Sequence, residues 1–285
     1  MPTFDTPEPI AVTIELALGD VHVIASDRDD TVVAVNPSDR SRPADRDAAD
    51  QTTVELDAGR LVVRAPRPRG LGKVIGPSSR SGSVVIVIEL PSGSHLHSDA
   101  ALGDVRGDGR LGDVRVKVDV GHIHLDETDE VDLATSTGSV TVGRVAGDAT
   151  IKGAGEVRVT AVHGEAQVRN LNGRTWVGEV TGELRVRSSN GDITIERSRG
   201  QANAKTANGH IRVDEVAGGS IELATGSGRV DVGITTDTVA WVDAHSHFGR
   251  ISRDLDDAPT PPEDDRSTAE VRARTSFGDI AIHRA

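Results

Sequence analysis

Three His-x-His pairs are the first candidates for chemistry: His95 and His97, His122 and His124, His245 and His247. On a strand, residues i and i+2 share a face, so each pair can offer two ring nitrogens, whereas a zinc site needs three or four donors converging at ~2 Å. The chain repeats with a spacing near eighteen residues, set out below, and stacked strands advance about 4.8 Å per coil. His122 and His245 are then about seven coils apart, over roughly 30 Å. His210 shares the column of His122 about five coils on, while His95 and His97 precede His122 by about one coil at another phase of it. The pairs do not converge on this spacing, and neither a metal nor another cofactor is expected.

Carboxylates are the second candidate, because parallel β-helices include polysaccharide lyases and hydrolases, and a glycosidase pair needs two acids ~5–9.5 Å apart. Asp104 and Asp113 fall in successive half-coils, and Asp192 lies about four coils, roughly 20 Å, further on. Aspartates that follow a corner glycine are expected to cap turns, and no catalytic residue is assigned. Calcium-binding rolls repeat G-G-x-G-x-D-x-U-x; this chain shares the spacing of nine but has Gly218-Gly219 as its one double glycine and no aspartate in register. Neither GxxxxGK[ST] nor GxSxG is present, so phosphate cradling and serine-hydrolase chemistry have no support.

The elements that must position any site are written in the stretch from Gly173 to Gly228, which divides into GRTWVGEVT, GELRVRSSN, GDITIERSR, GQANAKTAN, GHIRVDEVA and, after one more glycine, GSIELATGS and GRV. Apolar or small residues stand two and four places after each glycine, the period of two that turns one strand face to a core. The main glycines from Gly103 to Gly278 are separated by 18, 17, 17, 18, 18, 18, 19, 21 and 29 residues, with further glycines midway. This predicts an all-β, single-stranded β-solenoid of ~18-residue coils, with two short parallel strands per coil and about ten to twelve coils. The place two after the main glycine holds Val105, Ile123, Val140, Val157, Thr175, Ile193, Ile211, Val230, Ile251 and Ile280, the expected core column. Thr135, Asn170, Ser188, Thr206, Thr225, Ser246 and Thr275 stand three before it and are expected to close corners. Asn172, Asn190 and Asn208 predict an asparagine ladder, and Phe248 and Phe277 a stacked pair in the same column.

The chain has 285 residues with Phe 3, Trp 2 and Tyr 0, so Val, Ile, Leu and Ala must fill the core. A net charge of -13 disfavours nucleic acid and anionic membrane. Cys 0 excludes disulfides and thiol catalysis. Neither a signal peptide nor an apolar run of ~20 residues is legible, so no membrane insertion is expected and a cytoplasmic location is.

Residues 1–285 read as one solenoid domain, less regular over 1–100 and regular over 101–285. Residues 36–52 are polar and predict an exposed excursion; Asp57-Ala58-Gly59 predicts a hairpin or corner; residues 254–266 predict an exposed acidic loop. Residues 64–83 carry Arg64, Arg67, Arg69, Lys73 and Arg80 with no acid among them. This reads as a solvated insertion or as a docking loop for an acidic partner. On the outer columns Trp176 and Trp241 are candidate anchors for a partner.

The recurrent Gly-Asp-Val/Ile triplets (Gly19-Asp20-Val21, Gly103-Asp104-Val105, Gly112-Asp113-Val114, Gly191-Asp192-Ile193, Gly278-Asp279-Ile280), the Glu89-Leu90-Pro91-Ser92-Gly93 entry to the repeats and the Thr/Asn-x-Asn-Gly turns resemble the DUF4097 family of bacterial adhesin-like β-strand repeats over roughly residues 10 to 285. The resemblance implies a β-solenoid without catalysis. The expected function is a non-enzymatic binding or scaffold module that recognises a protein partner or a carbohydrate through its outer face and inserted loops. The rival is a carbohydrate-active enzyme, lyase or hydrolase, with carboxylates on the solenoid face.

Overall fold

The computed structural model describes residues 1–66, 82–255 and 267–285. Internal packing divides the chain into two compact units, Met1–Val142 and Gly143–Ala285. Unit 1 contains β1 (Thr3–Asp5), β2 (Ala11–Ser26), β3 (Asp30–Pro37), α1 (Pro43–Gln51), β4 (Thr53–Asp57), β5 (Arg60–Arg64), β6 (Val84–Pro91), β7 (His95–Leu102), β8 (Val105–Arg110), β9 (Val114–Val120), β10 (Ile123–Thr128) and β11 (Val131–Thr137). The dividing residue falls within β12 (Val140–Val145).

In unit 1 the alternation along β9 buries Val114, Val116 and Val118 and leaves Arg115 and Lys117 outside. Each such burial contributes about 1.5–3 kcal/mol. The sixteen-residue β2 serves both sheets of the unit. Its first half lies between β5 and β7, its second half between β6 and β8, all parallel. The start of the chain, expected to be less regular, also holds antiparallel pairs, β3 with β1 and β6, and β4 with β5. Ala58 (φ 46) and Gly59 (φ 75) make the β4–β5 connection a tight hairpin turn with two left-handed residues.

The expected exposed excursion at 36–52 is also corrected, since it contains α1, in which Asp45 and Ala48 are buried. Pro43 presets the first turn, and Ala44, Ala48 and Ala49 are strong helix formers. The polarity of the stretch concealed this, because the helix buries one short stripe. It seats on Gly82, where an added Cβ would lie 1.9 Å from the Ala44 carbonyl oxygen.

Unit 2 contains β13 (Ala149–Gly153), β14 (Val157–Val162), β15 (Ala166–Asn172), β16 (Thr175–Val180), β17 (Leu184–Asn190), β18 (Ile193–Ser198), β19 (Ala202–Asn208), β20 (Ile211–Val216), β21 (Gly219–Ser227), β22 (Val230–Ile234), β23 (Thr238–Phe248), β24 (Ile251–Asp254), β25 (Ser267–Phe277) and β26 (Ile280–Arg284). One sheet runs β13–β15–β17–β19–β21, the other β14–β16–β18–β20–β22, parallel and alternating coil by coil. Leu184 lies opposite Ala166 and Ala202, eighteen residues away in each direction.

The end of unit 2 departs from chain order. β25 lies between β21 and β23, and β26 between β22 and β24. The last coil in sequence is therefore internal, and among the described residues β23 and β24 each pair on one side only. Ile251, placed by its spacing in the core column, is 38% exposed for this reason. The other column members from Val105 to Ile280 are buried.

Six of the seven expected corner residues show the expected chemistry, whereas the Ser188 hydroxyl is buried without a hydrogen-bond partner among the described residues. Thr135, Asn170, Thr206, Thr225, Ser246 and Thr275 donate to the carbonyl oxygens of Gly121, Gly155, Gly191, Gly209, Gly278 and Gly228 in turn. Asn190 Nδ2 donates to Asn172 Oδ1 (3.1 Å) and Asn208 Nδ2 to Asn190 Oδ1 (3.0 Å). Phe248 and Phe277 stack with centroids 5.1 Å apart and planes 7° from parallel.

Candidate functional site

The residues that follow corner glycines form a capping series. Asp20 Oδ1 accepts the Asp104 N–H, Asp104 Oδ1 accepts the His122 N–H, and His122 Nδ1 accepts the Ser139 N–H. In unit 2, Asp192 Oδ1 likewise accepts from His210, whose Nδ1 accepts from Arg229. His95 Nδ1 accepts the Asp113 N–H. Asp20, Asp104 and Asp192 thus cap corners as expected, whereas Asp113 is itself capped by His95. His122 lies just outside β10 and turns to Ser139, so it does not pair with His124 as two residues apart on a strand would.

His124 instead meets residues from neighbouring coils. β2, β8 and β10 place His22 opposite Arg106 and Arg106 opposite His124. Two residues on along the same face come Asp108 and Asp126. The β8–β10 register shifts here, with Leu125 opposite Gly107 but Glu127 opposite Arg110. The extra residue is accommodated at Gly109 (φ 81), as in a β-bulge.

The bulge turns the Gly109 N–H onto Asp126 Oδ2 at 3.2 Å. Arg106 Nε donates to Asp108 Oδ1 and His22 Nε2 lies at Asp108 Oδ2, both at 2.7 Å. His124 Nε2 is 3.4 Å from Asp126 Oδ1. Donor atoms of Asp108, His124 and Asp126 all lie within 4.8 Å of one another.

Partial burial pushes the Asp108 carboxyl up, but the hydrogen bonds from His22 and Arg106 outweigh it and hold the group below its ordinary value. Its folded value is thus lower than its unfolded one. The stability it contributes is present above about pH 4 and is lost as pH falls through the depressed folded value. Unfolding measured from pH 7 to pH 2 is expected to show the difference between wild type and Asp108→Asn shrinking on the acid side. A difference independent of pH would refute this.

The expected partner-binding residues are dispersed. Arg64 ends β5, exposed, with Nε 3.8 Å from Glu15 Oε1. Arg67, Arg69, Lys73 and Arg80, and most of the acidic loop at 254–266, lie outside the described residues. Trp176 is half-buried on β16, with the Arg158 guanidinium 3.8 Å over its ring. Trp241 lies on β23 in the other sheet of unit 2 and is 58% exposed. Its side chain shares a strand face with Val239, which is 48% exposed. The two tryptophans thus do not form one patch.

Acids do come together on unit 2, where Asp148, Glu165 and Glu183 line a depression of about 160 Å³ with Gln167 and Arg185. Asp148 Oδ1 caps the Glu165 N–H at 2.8 Å, and both oxygens of Glu183 bind Arg185 at 2.7 and 2.6 Å. Two of the three are thus engaged in holding the strand face. Sequence spacing had drawn attention to Asp104, Asp113 and Asp192; the column of Asp148, Glu165 and Glu183 was overlooked because its members do not share a residue type.

Stacked coils with glycine corners, capped from side chain to backbone, define a β-solenoid protein with polar outer ladders. The chain belongs to the Toastrack DUF4097 family, whose model matches residues 11–283. No curated protein matches it. Among solved structures it is similar to a "putative lipid binding protein" from Parabacteroides distasonis ATCC 8503, with 14% identity, a TM-score of 0.37 and coverage of 99% of this chain and 95% of that one. It is also similar to a "putative adhesin" from Bacteroides fragilis NCTC 9343, with 10% identity, a TM-score of 0.30 and coverage of 99% and 95%. A "putative cell adhesion protein" from Clostridium sporogenes ATCC 15579 matches with 10% identity, a TM-score of 0.25 and coverage of 100% and 98%. Among the described residues no helix is long and apolar enough to cross a membrane.

Proposed function

We propose that the chain is a non-enzymatic binding module that engages a protein partner along the outer edge of β23. One observation carries this reading. Val239 and Trp241 stand exposed on the outer face of a strand that pairs with β25 on one side and with no strand among the described residues on the other. A free edge offers a row of backbone donors and acceptors to an added strand, and an exposed tryptophan beside it supplies the anchoring area that interfaces concentrate in such residues. The basic segment from Arg64 through Arg67, Arg69 and Lys73 is a second docking element in the same proposal, suited to an acidic partner surface. Trp176 contributes less, because Arg158 already covers one face of its ring. A catalytic role is not part of the reading, since Asp148 and Glu183 serve the strand face.

Affinity capture with the native chain, compared with a Val239→Ser/Trp241→Ser double variant and with a deletion of residues 64–83, tests it. The double variant is expected to lose its captured partner at least about tenfold, as an anchor residue worth more than ~1.4 kcal/mol requires. An unchanged partner set with the double variant overturns the edge reading. A glycan captured equally by all three would place recognition elsewhere.

A further inference from the structure

We propose that Asp108, His124 and Asp126 bind a divalent transition-metal cation of the zinc type on unit 1, with His22 holding Asp108 from the neighbouring strand. The three donors already lie within 4.8 Å of one another. A tetrahedral ion at ~2.0–2.2 Å from its ligands needs donors roughly 3.4 Å apart, so binding requires these side chains to close in on the ion. His22 Nε2 is 2.7 Å from Asp108 Oδ2.

The second observation is how the carboxylates are held. Each has one oxygen fixed by an N–H donor and the other turned to an imidazole. On Asp108 the fixed oxygen is Oδ1, bound by Arg106, and Oδ2 faces His22. On Asp126 the fixed oxygen is Oδ2, bound by the Gly109 N–H, and Oδ1 faces His124. Outer partners of this kind orient ligating carboxylates in metal sites. One imidazole and two carboxylates, with a fourth position open to water, suit zinc, cobalt or nickel rather than calcium or magnesium. Two carboxylates more than offset the nearby Arg106 charge, and side-chain exposures of 27% for Asp108 and 43% for His124 leave an entry path.

The test uses the full chain freed of metal, titrated with Zn²⁺ against a chromophoric chelator and with Co²⁺ followed by its visible ligand-field bands. One tight equivalent is expected. Asp126→Asn and His124→Gln, both at part-exposed positions and checked for unchanged circular dichroism, are each expected to weaken it at least about tenfold. His245→Ala/His247→Ala removes the exposed pair on β23, whose rings are 5.0 Å apart, and is expected to leave the tight equivalent in place. Should either ligand variant bind like wild type, or the tight equivalent vanish with the β23 pair, the site is overturned; binding of wild type no tighter than about 1 mM overturns it equally.

Discussion

Gly209→Ala is expected to destabilise unit 2 by about 3–5 kcal/mol, because a strained backbone angle and a collision coincide at one corner. Gly209 has φ +145°, where a Cβ is penalised, and an added Cβ would lie 2.2 Å from the Gly191 carbonyl oxygen and 2.5 Å from its carbon. Both obstacles are backbone atoms of the preceding coil, so no rotamer change relieves them. The same oxygen also accepts the Thr206 hydroxyl at 3.2 Å. Gly200 is the internal comparison. It has no left-handed angle, and the nearest atom to an added Cβ is 3.3 Å away. Gly200→Ala is expected to change stability by less than about 1 kcal/mol, since the reduced freedom of the unfolded chain offsets mild crowding. Denaturant unfolding followed by tryptophan emission measures both, and Trp176 and Trp241 both report on unit 2. Equal midpoints for the two variants would show that the corners relax and that the glycine spacing is not a steric requirement.

Asp45→Ala is expected to cost about 2–3 kcal/mol in unit 1, the cost of leaving two backbone donors without their acceptor. Asp45 is 0% exposed. Its Oδ2 accepts the Asp39 N–H and its Oδ1 the Ser83 N–H, both at 3.1 Å, and Arg42 Nη1 is 3.4 Å from Oδ1. One carboxylate thus joins the segment before α1, the helix itself and the entry to β6. Thermal unfolding by circular dichroism checks the loss, and hydrogen exchange should show it concentrated in α1, β3 and β6. An unchanged melting temperature would mean that water replaces all three partners without cost.

Much of the fold was legible because its determinants are local and repeated. Strand alternation, glycine corners, the Thr/Asn column at their base, the Asn172–Asn190–Asn208 ladder and the Phe248–Phe277 stack follow from spacing, since parallel in-register strands set equivalent residues side by side. The helix at Pro43–Gln51 was less visible, because a nine-residue segment burying Asp45 and Ala48 shows no apolar stripe. The candidate cation site was half visible. Asp108 and Asp126 are one coil apart, and His124 and Asp126 share a strand face, but His22 is 86 residues from Asp108. The His-x-His spacing directed attention to His122, whose ring is used at a corner.

By itself the sequence determined the coil: period-two strands, glycine where a Cβ would meet the neighbouring backbone, and apolar columns that superimpose when coils stack. Only the tertiary structure decided which coils are neighbours. Successive coils present nearly the same columns and the same backbone edges, so a pattern that defines one coil carries little information about what lies beside it. That is why β2 between β6 and β8, and β25 between β21 and β23, could not be read from spacing. Those two insertions bring His22 to Asp108 and leave Trp241 on a strand that, among the described residues, is paired on one side only.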